Sequence, residues 1–470
     1  MYVDGWLARA VAAHPRRIAL ETTGERWSYA QLHDAADIGA RELRRRGAAP
    51  GARVAIALAP GLGFAQALHA CLLLGAVAVP VDQRLTPAEQ ASIAAGAAVL
   101  VDEPLPPPGK GAPGVAGGTG VALGGGAHEE PLLAKHRLGA VAAVIHTSGT
   151  SAAPRPVELT YGNFLWSALG SAVALGLERE ERWLCTLPVS HVAGLSILVR
   201  SCIYATTAVV HERFEADRAL HALRDGDVTI VSVVATTLAR LLDAGLEHPP
   251  ALRCALAGGG SVPPGLMARA REHGLPVALT YGLTEACSQV STTPLAALGE
   301  PRRGSRQTAG PPLFCTRVRI ASDGEILVSG PTVAPGATAG DGWLHTGDLG
   351  ELDDGGRLAV AGRRADTIVS GGENVAPAEV EAALESHPDV LEAGVVGRSD
   401  ARWGEIVTAL VVVRPGTQVT VEELRAHCAR TLATYKTPKQ VTLVSEPLPR
   451  TASGKLLRRE LAESSAHQRR

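Results

Sequence analysis

A glycine, a hydroxyl and a carboxylate fall together in TYGLTEACSQV, residues 280–290, where Gly282, Thr284 and Glu285 follow an apolar run from Pro276 to Leu279. That run reads as a buried strand. In a parallel sheet ligands bind beyond the carboxyl ends of strands, so a donor such as Thr284 and an acid such as Glu285 at that point can meet a phosphate and its Mg²⁺. The same residues also suit a polar loop capping a following helix, with Thr284 as N-cap. A second group of small polar residues, Thr147, Ser148, Gly149, Thr150 and Ser151, follows the apolar stretch Gly139 to Ile145 and precedes the basic Arg155. Small side chains let backbone N–H groups close on phosphate oxygens. The spacing is not that of a GxxxxGK[ST] loop, and a plain Ser/Thr turn before a helix starting at Tyr161 is the other reading.

Other reactive side chains stand alone. His191 follows a strand-like Trp183 to Leu187 and opens an apolar helix, where a histidine ordinarily packs or caps. Asp348, in HTGDLG, suits a turn as well as a ligand. Lysine occurs only at Lys110, Lys135, Lys436, Lys439 and Lys455, against a large excess of arginine, so each lysine draws attention. The seven cysteines are widely spaced, odd in number and free of any CxxC pair, which argues against a disulfide framework or a zinc site and for a reducing compartment. Cys287 has no histidine beside it in sequence and reads as packing.

The elements that position these groups alternate. A short hairpin and an amphipathic helix occupy Ile18 to Gly47. Val54 to Leu58, Phe64 to Leu74 and Ala76 to Val81 then form a strand–helix–strand unit, followed by a helix near 87–95 and a strand at 97–101. Such alternation implies a parallel sheet with helices on both faces. Residues 102–130 break it with Gly and Pro and no periodicity, and read as a linker. From Arg317 to Ala361 strands and turns predominate, as in a small barrel, and from Pro377 onward helices and strands mix again.

At 470 residues the chain exceeds a single typical core, and its hydrophobic content of 46% is built with only 3% aromatics, so Ala, Val and Leu must fill the interior. A net charge of −2 gives no electrostatic case for nucleic acid or an anionic membrane. The N-terminus has an early Asp and no sustained apolar core, unlike a signal peptide, and Leu68 to Val81 is too short and Gly-broken to span a bilayer. The expectation is a cytoplasmic protein with no membrane insertion. Its oligomeric state is open, a homo-oligomer included.

Five stretches occur in a telling order: TSGTSAAPRP, YGLTE, GWLHTGD (342–348), GRRADTIVSGGENVAPAEVE (362–381) and PRTASGKLLRREL (449–461). Together they resemble the AMP-forming adenylating superfamily of acyl-CoA synthetases, peptide-synthetase adenylation domains and luciferases. Within it LPVSHVAGLSILVRSCIY, LAGGGSVP and TYGLTEACSQ look most like the 2-succinylbenzoate–CoA ligases of menaquinone biosynthesis. The resemblance implies an α/β fold. A large N-terminal domain (1–361) of mostly parallel sheets with a small β-barrel subdomain is followed by a hinge (362–366) and a small mobile α+β cap (367–470).

The resemblance also implies chemistry. The partners would be a carboxylic acid, ATP with Mg²⁺ and coenzyme A. Glu285 would hold Mg²⁺, Thr284 would touch the α-phosphate, and the loop from Thr147 to Ser151 with Arg155 would cradle the outer phosphates. Gly258, Gly259 and Gly260 with Tyr281 and Gly282 would form the adenine slot, Asp348 would take the ribose hydroxyls, and Arg363 would support them. Lys455 would bridge carboxylate and phosphate, and His191 would contact the acyl carboxylate or gate the adenylate. Arg200, Ser288 and Thr292 are the candidates to serve a second carboxylate, with anchoring of its own helix the other reading of Arg200. Gly371 and Gly372 would line a pantetheine tunnel too narrow for side chains.

Three positions depart from the pattern: Ala152 and Pro156 replace glycines and Arg155 replaces lysine. Lost glycine conformations and a lost N–H would weaken pyrophosphate binding. Two further functions are therefore weighed: a ligase for another aryl or medium-chain acid, and a non-catalytic nucleotide- or adenylate-binding protein.

Overall fold

A computed structural model describes residues 1–107, 132–147, 155–298, 307–370, 373–400, 402–451 and 456–467. Two sheets dominate the first three hundred residues. The smaller has five strands in the order Val99–Val101, Arg53–Ile56, Val77–Pro80, Val141–Thr147 and Arg155–Thr160, parallel except for the last pair. The larger has eight. Its parallel centre runs through Val277–Leu283, Cys254–Ala257, Ile230–Val233, Arg182–Cys185, Thr207–Val210 and Ile18–Glu21, with antiparallel Ser288–Thr292 and Arg26–Ser28 at the two edges.

One hydrophobic core joins the two sheets through the helices between them. Leu62–Leu74 is buried from Phe64 to Leu74, as expected of a helix apolar on every side. It lies against Tyr29–Arg45, whose inner face is Ala35, Ala36, Gly39 and Ala40. A Cβ at Gly39 would sit 3.0 Å from Leu105 and 3.1 Å from Ala70, so small residues set the close approach of the helices. This is how a core with few aromatics is filled: by short spacing rather than large side chains. A separate core covers the other face of the large sheet with Ala216–Asp225, Ala235–Asp243 and Pro264–Glu272.

The β-rich stretch expected over 317–361 is a four-stranded antiparallel sheet of Arg317–Ile320, Glu325–Ser329, Leu344–Leu352 and Leu358–Arg363. Beyond it, Gly404–Val413 pairs with Val390–Asp400 and, in parallel, with Gln440–Val444. Pro377–Glu385 begins with proline in its first turn, as the sequence suggests, and with Val421–Thr431 covers one face, while Arg458–His467 packs on the other.

Two sequence expectations shift in detail. Within the stretch read as linker from 102, Leu105 is buried and the Pro106 carbonyl accepts a hydrogen bond from Gln66, so 102–107 is packed on the domain; 108–131 lie outside the described residues. Arg155–Thr160 is a strand rather than loop. All seven cysteines are buried and unbridged, and burial pushes the thiols up, to about 12 for Cys71, Cys185, Cys202, Cys254 and Cys287. No described helix is long and apolar enough to cross a membrane.

Candidate active site

TYGLTEACSQV forms a hairpin at the edge of the large sheet, so neither a following helix nor a simple strand-end loop describes it. Val277–Leu283 runs out, a single 3₁₀ turn spans Thr284–Ala286, and Ser288–Thr292 returns antiparallel. Cys287 and Ser288 hold φ of 50° and 88°, a region that non-glycine residues occupy only when their surroundings enforce it. Here the enforcement is visible. Ser167 donates to the Cys287 carbonyl at 2.7 Å, and the Ala334 N–H donates to the Glu285 carbonyl at 2.7 Å. A Cβ on Gly282 would lie 1.6 Å from the Ser288 carbonyl oxygen, so only glycine admits the bulge between Tyr281 and Gly282. The result presents Thr284 and Glu285 half-buried, and the Glu285 carboxylate has no hydrogen bond or ion pair among the described residues.

Asp348 faces this hairpin from the four-stranded sheet. Its position depends on Gly347 at φ 70°, whose N–H donates to Glu325 at 2.9 Å, and on Thr346, whose hydroxyl accepts from the Asp348 N–H at 3.1 Å. The Tyr281 hydroxyl donates to Asp348 Oδ2 at 2.8 Å, and Arg363 Nε lies 3.4 Å from Oδ1. Burial and then the Asp348 charge hold the Tyr281 phenol above its ordinary pKa, so it stays a donor. Gly258 ends the neighbouring strand, where a Cβ would approach Thr280 Cγ2 to 2.7 Å, while Gly259 (φ 77°) and Gly260 are exposed. Tyr281, Asp348 and Arg363 thus lie together.

His191 sits at the N-cap of the helix Val192–Tyr204 and, with Ser190, meets a second loop, after the strand Val77–Pro80, in a cluster that sequence reading missed. Asp82 accepts from Ser190 Oγ at 3.0 Å and from Arg84, and its Oδ2 is 3.8 Å from His191 Nε2. Burial raises the Asp82 carboxyl, but the Arg84 and Ser190 hydrogen bonds outweigh it and hold it at about 2. It is therefore ionised beside the histidine. The signal was a lone VDQR after a strand, with nothing to distinguish it from a turn.

Nine residues on, inside the same helix, Arg200 is 3% exposed. It donates to Ser167 Oγ at 3.1 Å and lies over the Trp183 ring at 5.3 Å, but no carboxylate pairs with it among the described residues. Burial lowers its pKa. A buried cation without a counter-charge is costly. Through Ser167 it is joined to the Cys287 carbonyl, one residue from Ser288. Thr292 is 1% exposed, with its hydroxyl 2.9 Å from both Thr280 Oγ1 and Gln289 Nε2, so it braces the hairpin from within.

Thr147 and Arg155 face each other across the hairpin of the five-stranded sheet. Pro156 pairs with His146 on the edge strand, where a missing N–H costs no central ladder bond, which accounts for its tolerance there. Ser148, Gly149, Thr150, Ser151, Ala152, Gly371, Gly372 and Lys455 lie outside the described residues. No group of three or more His, Cys, Asp or Glu side chains forms a ready metal cage among the described residues.

Against known proteins, the sequence profile described as AMP-binding enzyme matches residues 7–337, and that of the AMP-binding enzyme C-terminal domain matches 379–455. The 2-succinylbenzoate–CoA ligase of Geobacillus kaustophilus is 40% identical, covering 98% of this chain and 97% of its own. The o-succinylbenzoate CoA synthetase of Bacillus subtilis has been solved in several forms. Its complex with the acyl-adenylate intermediate is 36% identical with a TM-score of 0.84 and covers 98% of both chains. Its complex with ATP and magnesium is 35% identical with a TM-score of 0.85, covering 98% of this chain and 100% of that one. A double mutant bound to a product analogue, also 35% identical, covers 98% and 99% and gives 0.70.

Proposed function

This chain belongs to the AMP-binding enzyme family, and from that premise we propose that it is an ATP-dependent acid–CoA ligase acting on 2-succinylbenzoate in menaquinone biosynthesis. The reaction has two displacements. A carboxylate oxygen attacks the α-phosphorus of ATP and the bond to the β-phosphate oxygen breaks, giving acyl-AMP and pyrophosphate. The CoA thiol, losing its proton, then attacks the acyl carbonyl, and AMP leaves to give the thioester. Both steps need charge held in place rather than covalent help from the protein.

The observation that carries the reading is the meeting of Tyr281, Asp348 and Arg363 beside the Thr284–Glu285 turn. Asp348 accepts the ribose hydroxyls, while Tyr281 and Arg363 fix its carboxylate. Tyr281 and Gly258 to Gly260 flank the adenine. The Glu285 carboxylate, unpartnered among the described residues, fits a Mg²⁺ ligand, and a bound Mg²⁺ would neutralise the charge of the ATP phosphates. Thr284 donates to the α-phosphate. The Thr147–Ser151 loop and Arg155 hold the outer phosphates, and Lys455 bridges the attacking carboxylate and the α-phosphate.

The acyl side is served by His191, held beside ionised Asp82, and by Arg200, whose buried charge suits the second carboxylate of 2-succinylbenzoate. Gly371 and Gly372 leave room for pantetheine. Residues 1–361 act as the adenylate-forming domain, 362–366 as hinge and 367–470 as cap.

The test is pyrophosphate release with ATP, Mg²⁺ and CoA over 2-succinylbenzoate, benzoate and octanoate, for wild type and Lys455→Ala. The reading expects 2-succinylbenzoate to turn over fastest and the variant to lose it. A faster turnover of another acid overturns the substrate while leaving the chemistry, and no release together with no ATP binding overturns both.

A further inference from the structure

Three charged residues around the hinge, Arg363, Arg364 and Asp366, are tied down in opposite directions. Arg363 reaches Asp348, and Arg364 reaches Asp323 at 2.7 Å and Glu325 at 3.4 Å, all in the four-stranded sheet. Asp366, two residues on, pairs instead with Arg458 at 3.1 Å. Arg458 also binds both oxygens of Glu381 on the helix Pro377–Glu385 and donates to the Val395 carbonyl at 2.8 Å. One guanidinium therefore collects the end of the hinge, a helix and the long strand Val390–Asp400. Only a planar fork with several fixed donors can do this; an ammonium cannot span the three.

Arg458 lies three residues after Lys455 in sequence. On the other side of that lysine, Arg450 pairs with Glu392 at 2.7 Å, and the Leu448 N–H donates to the same carboxylate at 2.9 Å. The two arms are closed together: Arg450 and Leu456 form an antiparallel bridge, and the Leu457 N–H donates to the Pro449 carbonyl at 2.9 Å. The base of the lysine-bearing segment is thus fixed to the cap by two arginine clamps, and of these Arg458 also holds the hinge.

We propose that Arg458 is a positioning residue that locks the lysine-bearing segment to hinge residue Asp366, so that hinge conformation and lysine placement change as one. The inference rests on the role given above to Lys455. The bonds free to turn between the two anchored halves are those around Ala365, between Arg364 on one side and Asp366 on the other. Arg458 itself touches neither nucleotide nor acid. Its effect falls on the half-reaction that uses Lys455, and spares the one that does not.

The experiment compares Arg458→Lys and Asp366→Asn with wild type and Lys455→Ala in two separate assays: ATP- and acid-dependent pyrophosphate release, and thioester formation from supplied acyl-AMP and CoA. Asp366→Asn keeps the Arg458–Glu381 pair, so the cap keeps its fold. Misplacement of a reacting group by an ångström costs up to about a hundredfold, so a fall of about tenfold or more in the pyrophosphate kcat is expected for both variants. The KM for ATP and the thioester rate should stay within about threefold of wild type, the spread of ordinary surface substitutions. Equal losses in both assays, or an unchanged pyrophosphate kcat in both variants, overturn the proposal. If Lys455→Ala leaves pyrophosphate release intact, it is the role of the lysine that fails, whatever Arg458 does.

Discussion

The Tyr281 hydroxyl donates to Asp348 Oδ2 at 2.8 Å, joining the edge hairpin of the large sheet to the four-stranded sheet through one half-buried bond. Two elements more than sixty residues apart in sequence thereby share the wall of the nucleotide site. With the Arg363 guanidinium also beside the acceptor carboxylate, the bond belongs to the stronger class of protein hydrogen bonds.

Tyr281→Phe keeps the ring and removes only this donor. A hydrogen bond to a charged group contributes about 1.5–3 kcal/mol, so the KM for ATP is expected to rise about tenfold, with a lower thermal midpoint. Saturation kinetics in ATP and a melting curve check both; an unchanged KM would mean that Asp348 is held well enough by Arg363 alone.

Glu285→Gln preserves size and hydrogen bonding while discarding the charge. Loss of a metal carboxylate ligand removes several kcal/mol of charge stabilisation, so pyrophosphate release should drop by about a hundredfold and its Mg²⁺ midpoint should move to higher concentration. Titrating Mg²⁺ at fixed ATP reads this directly, and an unmoved midpoint would exclude Glu285 as a ligand.

Arg200→Met separates stability from specificity. Replacing an uncompensated buried charge with an apolar side chain is neutral or stabilising, whereas losing a charged partner costs a bound carboxylate about 1.5–3 kcal/mol. The melting temperature should hold or rise while the KM for 2-succinylbenzoate increases by about ten- to a hundredfold and that for benzoate barely changes. A parallel increase for both acids would remove Arg200 from the second-carboxylate role.

His69 and His136 are buried beside one another, with His136 stacked on Tyr161 at 4.3 Å, and burial lowers both to about 4 from 6.5. Between those values the unfolded chain binds more protons than the folded one, so stability is full above about pH 6.5 and falls as pH drops toward 4. The slope for one such group is about 1.4 kcal/mol per pH unit. Glu385, raised by burial to about 7 from 4.5, acts in the opposite sense: its share is present below about 4.5 and lost as pH rises through 7. Urea midpoints from pH 7 to 5 should decline, and His136→Phe, which retains an aromatic ring against Tyr161, should flatten the decline.

Much of this was legible because the chemistry sits in contiguous stretches. The strand–helix alternation through Leu62–Leu74 and the proline-led Pro377–Glu385 have local signatures that the fold keeps. Arg155–Thr160 was missed because Pro156 is a strand breaker everywhere except on an edge, and edge position is a property of the sheet. The hairpin after Leu283 was missed for a related reason: two non-glycine residues at positive φ are sustained by Ser167 and Ala334, far away in sequence. Asp82 beside His191 carries no motif of its own, and Arg458 and Asp366 sit in two separate recognisable stretches with nothing in either to say that they meet. Their meaning lies in which distant group they touch, and single positions do not announce that.

The seven cysteines, enclosed and reluctant to ionise, leave the surface chemically silent toward thiol reagents. A thiolate is the reactive form, so under mild conditions a maleimide dye would meet only a cysteine placed deliberately on the outside. One such residue on each side of Ala365 would make the unmodified protein its own background for a fluorescence ruler across the hinge.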